Sequence, residues 1–147
     1  SARVSPAQEP VLVGDELWFY YGSSDANHYD AERSGNISLA KLRLDGFVSV
    51  NADATGGSLV TKPLLCNGGE LVINTEAQGG AVSVAVLDED GTQKDGFEMV
   101  NCAIFDGDSV RHRVSWRGSL SLDVLSGTNI RLKFYLRSAK LYSFTLS

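Results

Sequence analysis

At 147 residues, with 43% hydrophobic and 21% charged side chains, the chain has the composition of a globular protein with one real core. That excludes wholesale disorder and leaves too little length for two comfortable domains. Its net charge of −5 argues against a general nucleic-acid binder, and no apolar run approaches the roughly 20 residues of a membrane-spanning helix.

The N-terminal part differs from the rest. "SARVSPAQEP" reads as loop, and "DELWFYYG" then places Leu17, Trp18, Phe19, Tyr20 and Tyr21 in a row without alternation. Such a run is a strand covered on both faces, a strand that has lost a cover, or an aromatic platform for a ligand. "GSSDANHYDAERSGN" follows as a polar connection long enough to be functional or to join separate units. The expected division is a strand and linker over residues 1–36 and a β-domain over 37–147. Asn36-Ile37-Ser38 at the junction is a candidate N-glycosylation sequon.

Almost everything after Ile37 reads as strand. "AVSVAVLD" sets Val82, Val84 and Val86 against Ala81, Ser83 and Ala85. In "SVRHRVSWRG", Val110, His112, Val114 and Trp116 share one face, opposite Arg111, Arg113, Ser115 and Arg117. "NIRLKFYLR" repeats the pattern, with Ile130, Leu132, Phe134 and Leu136 opposite Arg131, Lys133, Tyr135 and Arg137. "LYSFTLS" closes the series, and its alternation of Tyr142, Phe144 and Leu146 predicts burial of Tyr142. Turns such as "CNGGE", "QGGA", "DEDGT" and "FDGDS" separate the strands, and no segment carries a sustained helical period. The expected fold is all-β: an antiparallel two-sheet β-sandwich of jelly-roll type.

Four sets of residues invite a chemical reading. Cys66 and Cys102, the only cysteines, form either one disulfide or two buried thiols, and two thiols alone make no zinc site. A disulfide and the sequon would both suit an extracellular setting. Asp88, Asp90, Asp106 and Asp108 lie in acidic turns that offer hard oxygens for a structural calcium ion, although plain turn chemistry accounts for them too. Arg111, Arg113, Arg117, Arg131, Lys133 and Arg137 form a basic stripe if their two strands are neighbours in one sheet. Such a stripe would suit a sulfated or uronic-acid glycan or an acidic partner, unless carboxylates from adjacent strands neutralise it. Tyr135 in the polar phase, with His28 and Tyr29 in the long connection, supplies rings that sugars can stack on. No paired carboxylates stand out and no Gly-x-Ser-x-Gly elbow is present, so catalysis by this chain alone is not expected.

The ordered segments "LWFYYGSSDANHYD", "ISLAKLRLDGFVSV", "GGSLVTKPL", "GGELVINTEA", "VSVAVLDEDG", "DSVRHRVSWRG" and "IRLKFYLRSAKLYSF" carry a resemblance. Together they resemble the C-terminal end of glycoside hydrolase family 32-like proteins, in which a five-bladed propeller precedes a concanavalin-like, lectin-like β-sandwich. The resemblance implies that "ELWFYYG" is a propeller strand leading through a linker into the sandwich. It brings no catalytic carboxylate, because in related hydrolases those lie on the propeller. The expected function is a secreted, non-catalytic carbohydrate-binding accessory module. It would hold a polysaccharide through His28, Tyr29, Arg111, Arg113, Arg131 and Tyr135, with an adjacent propeller as a further partner. The alternative is a purely structural sandwich that packs on such a propeller.

Overall fold

The computed structural model describes residues 3–6, 9–24 and 35–147, all in strands, turns and short 3-10 segments. The strand pairings are antiparallel, and the chain divides into two compact units, Ser1–Phe47 and Val48–Ser147.

The first unit is one sheet of β1 (Arg3–Pro6), β2 (Val11–Val13), β3 (Glu16–Ser24) and β4 (Gly35–Arg43). The aromatic run is the central strand β3. β1 and β2 pair with its two ends, and β4 pairs with it from Glu16↔Arg43 to Ser24↔Gly35. This corrects the expected division at residue 37. The nine paired positions of β4 tie "ISLAKLR" to the aromatic strand, so the boundary falls after Phe47. None of the described residues of this sheet is buried. Trp18 and Tyr20 stand on one face in an edge-to-face pair 6.4 Å apart, and Phe19 meets Phe47 in a second such pair.

The second unit holds β5 (Val50–Ala52), β6 (Gly57–Val60), β7 (Leu64–Leu65), β8 (Leu71–Glu76), β9 (Ala81–Leu87), β10 (Asp108–Arg113), β11 (Asn129–Arg137) and β12 (Ala139–Leu146). One sheet runs β10-β8-β12-β5; the other is built on β11, which pairs with β6, β7 and β9. Successive strands from β7 onward alternate between the two sheets.

Alternation along the strands makes this a β-sandwich. Leu71 and Ile73 of β8 and Leu141 of β12 face Val82, Val84 and Val86 of β9 and Ile130, Leu132, Phe134 and Leu136 of β11 in one buried cluster. Phe134 meets Phe144 across the gap, with ring centroids 5.3 Å apart. At one side Trp116 packs edge-to-face on Phe97, and its indole N–H donates to the Val84 carbonyl at 3.0 Å. A buried indole needs such a partner, and this bond also ties the segment after β10 to the opposite sheet.

Candidate functional site

The sandwich separates the two halves of the basic stripe. β10, with Arg111 and Arg113, is the edge of one sheet, whereas β11, with Arg131, Lys133, Tyr135 and Arg137, is central to the other. The expected single positive face therefore does not exist, because strands adjacent in alternation pattern were not adjacent in hydrogen bonding. The two halves also differ in their neighbours. On the β10 sheet Arg113 pairs with Glu70 at 3.0 Å, and Lys140 of β12 donates to both oxygens of Glu76 at 3.1 and 3.2 Å. That hydrogen bond, with the nearby charges, holds the Lys140 ammonium above its ordinary pKa.

Tyr142 belongs to this polar face too, which corrects its expected burial. A register shift between Leu141 and Ser143 adds one residue to β12, and the Tyr142 hydroxyl donates to Glu76 Oε2 at 3.0 Å. A bulge re-aims a side chain without leaving a trace in the apolar pattern, so sequence reasoning had no signal for this cluster.

On β11 the register gives a different picture. Tyr135 lies between Ser58 and Ser83, Lys133 between Val60 and Ala85, and Arg137 beside Ala81. None of these cross-strand neighbours is acidic. Two carboxylate-bearing residues touch the ends of the strand: Glu89, whose backbone carbonyl accepts Arg131 Nε at 3.0 Å, and Asp53, whose carbonyl accepts Ser138 N at 2.7 Å. Their carboxylates are used elsewhere, by the Asn129 amide and by Thr55 N respectively. The Lys133 ammonium lies over the Tyr135 ring, 4.9 Å from its centroid.

Two shallow clefts flank the Ser115–Trp116 segment. One, of about 400 Å3, is lined by Glu70, Arg113, Trp116, Leu120 and Ser121 among others; the second, of about 420 Å3, by Val100, Cys102, Ile104, Trp116 and Arg117 among others. Beside the first, Asp123 accepts Gly69 N and Ser121 Oγ, each at 2.7 Å, and these bonds hold its carboxyl below the ordinary range.

His112 is half-buried and stacks on Phe105 with centroids 3.9 Å apart, which makes it a packing residue at the rim of the core. Burial holds its imidazole below the ordinary pKa of 6.5, so the folded chain binds fewer protons than the unfolded one just below that pH. Its contribution to stability is therefore complete above the unfolded value and is lost as pH falls through and below it. His112→Phe, which keeps a ring against Phe105, is expected to flatten the decline of Tm between about pH 7 and pH 5. Equal slopes for the two proteins would remove His112 from this role.

The remaining expected sites resolve individually. His28 and Tyr29 lie outside the described residues. The four aspartates are not brought together: Asp88 and Asp90 sit in the turn at one end of β9, and Asp106 and Asp108 follow Phe105, which bridges Val82 at the other end. The Asp88 carboxylate accepts Asp90 N and Thr92 N, as a turn former does, and no group of three metal-ligating side chains gathers among the described residues. Cys66 and Cys102 are both free and buried, which corrects the disulfide alternative. Each thiol is engaged separately, Cys66 at the Leu122 carbonyl and Cys102 at the Val84 amide. Burial, its largest effect there, raises the Cys102 pKa. Asn36 stands exposed on β4 opposite Ser23.

Trp18 has its own satisfied surroundings. Its indole N–H donates to Glu16 Oε2 at 2.9 Å, and the Lys41 ammonium lies 4.2 Å from its ring centroid. With these contacts the ring is occupied by its own sheet, leaving Tyr20 as the more open member of the pair.

These features define an antiparallel β-sandwich whose strand β11 carries a half-buried to exposed row of three cations and one tyrosine on its outer side, with no deep pocket among the described clefts. Comparison with protein-family models, curated proteins and solved structures yields no match.

Proposed function

We propose that the chain is a secreted, non-catalytic carbohydrate-binding β-sandwich, an accessory module of a glycan-processing protein. The observation that carries this reading is the outer face of β11, where Tyr135 stands between Ser58 and Ser83 in line with Arg131, Lys133 and Arg137. A ring for stacking, the exposed Ser58 hydroxyl beside it and cationic donors along the strand are chemistry by which sheet faces hold extended sugars. Strands that alternate between two sheets are compatible with the jelly-roll reading, an architecture that many lectin domains use. The segments that resemble the sandwich of family 32-like glycoside hydrolases point the same way, and the exposed Asn36 sequon suits a secreted chain. Glycoside hydrolysis takes two facing carboxylates, and Glu70, beside Trp116, is paired with Arg113. In a third cleft, lined by Asp88, Glu89 and Asp90, the Asp88 carboxylate is taken up by turn amides and that of Glu89 by the Asn129 amide. Affinity gel electrophoresis against neutral and acidic polysaccharides tests this reading. Retardation by at least one polymer, weakened by Tyr135→Ala, is expected; free migration in all of them overturns it.

A second reading, that the chain packs structurally against a neighbouring β-domain such as a propeller, is favoured by the first sheet. Its apolar side chains lie on both faces and none is buried; Ile37 is 86% and Leu12 58% exposed. Sheets that are apolar on both faces are normally covered on both. The full chain on its own would then bind a hydrophobic dye or self-associate, and a dye-negative monomer in sedimentation would count against this role.

A further inference from the structure

The cations of the β11 row lack the acidic neighbours that the cations of the other sheet have. Side chains on one face of a strand recur about every 7 Å, so Arg131, Lys133, Tyr135 and Arg137 form a line of about 20 Å. Within the described residues Lys133 and Arg137 make no salt bridge, and Arg131 is held by a backbone carbonyl rather than a carboxylate. The flanking positions are Val60 and Ser58 on β6 and Leu87, Ala85, Ser83 and Ala81 on β9, none of them acidic. A chain with a formal net charge of −5 thus keeps a row of positive charge that is not paired on adjacent strands, with Arg131, Lys133 and Tyr135 half-buried beside the covered Ala85 and Ser83 of β9, and Arg137 exposed.

We propose that this face takes a glycan bearing carboxylate or sulfate groups, in preference to a neutral one. The inference rests on the carbohydrate-binding reading and names the class of sugar for that same site. Lys133 and Arg137 bind the anionic groups, Arg guanidinium in a fork and Lys as a point charge, while Tyr135 stacks on the sugar ring between them. When the ligand arrives, the Lys133 ammonium exchanges its contact with the Tyr135 ring for an anionic partner, which frees the ring for stacking.

Binding of the full chain to polygalacturonate and to the same polymer fully methyl-esterified separates charge from sugar identity. The acid form is expected to bind more tightly, and its affinity is expected to fall as salt rises from about 50 mM to about 500 mM. Lys133→Gln and Arg137→Gln should each weaken it about three- to fivefold, the size of an exposed ion pair. Arg113→Gln, on the other sheet, should leave it unchanged. These polar substitutions of partly or fully exposed side chains are expected to keep the fold, which an unchanged Tm of each variant verifies. Equal binding of the two polymers, or an equal loss with Arg113→Gln, overturns the anionic class while the glycan reading stands. Binding of poly-L-glutamate as tight as that of polygalacturonate assigns the row to acidic proteins instead and overturns the proposal. Failure of every polysaccharide to bind overturns both.

Discussion

Phe134→Ala is expected to lower the unfolding free energy by about 3–5 kcal/mol, the range for removing a fully enclosed aromatic ring. Phe134 is completely buried at the centre of β11, flanked on its own face by Leu132 and Leu136, and it meets Phe144 of the opposite sheet. Truncation leaves a cavity between two sheets whose backbones are pinned by their own hydrogen bonds, so collapse around it is limited. A small domain holds only about 5–15 kcal/mol in total, and the variant would therefore unfold at much lower urea. Phe134→Leu should cost less than half as much. A loss below about 1 kcal/mol for the alanine variant in urea titration would mean that the sheets do not pack through this ring.

Gly80→Ala is expected to be a severely damaging single-methyl change, at about 3 kcal/mol. A Cβ at this position would lie 2.2 Å from the Ser138 carbonyl oxygen and 2.3 Å from that of Arg137. Those carbonyls form the corner where the chain leaves β11 for β12 and crosses from one sheet to the other, with Ser138 itself at φ 44° and its N–H bonded to the Asp53 carbonyl. Neither backbone can retreat without breaking the corner. Gly79→Ala next door is a useful comparison. Its φ of 73° is unfavourable for alanine, but nothing lies within 4 Å, so the cost is about 1–2 kcal/mol of backbone strain alone. Thermal or urea unfolding of both variants should place Gly80→Ala clearly below Gly79→Ala. The reverse order would show that the approach of the β8–β9 turn to this corner is not a close one.

Both expectations depend on features of different visibility. The burial of Phe134 was legible, because Ile130, Leu132, Phe134 and Leu136 alternate with charged residues and a strand faces a core with every second side chain. The burial of Trp116 was legible for the same reason, through its phase with Val110 and Val114. Tyr142 and the Gly80 corner were not. A bulge and a contact between turns distant in sequence involve no periodicity, and they exist only once the sheets are assembled.

The candidate site shows the same division. The sequence placed Arg131, Lys133, Tyr135 and Arg137 on one face of one strand, and Arg111 and Arg113 on one face of another. Whether those strands were neighbours was a matter of strand order, and the order β10-β8-β12-β5 against β6-β11-β9 puts them in different sheets. Register then decided which cations met carboxylates, Arg113 at Glu70 and Lys140 at Glu76, and which stood among Ser, Ala and Val.

"DELWFYYG" marks the boundary most clearly. Its composition determined a strand that does not alternate, and so one that does not belong at a water-facing surface on its own. Only the assembled sheet showed it as a central strand paired on both sides, with "ISLAKLR" as its partner and no side chain fully buried on either face. The sequence by itself thus determined the all-β class, the two faces of the regularly alternating strands and their core side chains, because a period of two is written in local order. Strand neighbours, register, the unit boundary and the free state of both cysteines were left to tertiary structure. They depend on which distant backbone groups pair, and local alternation carries no record of that.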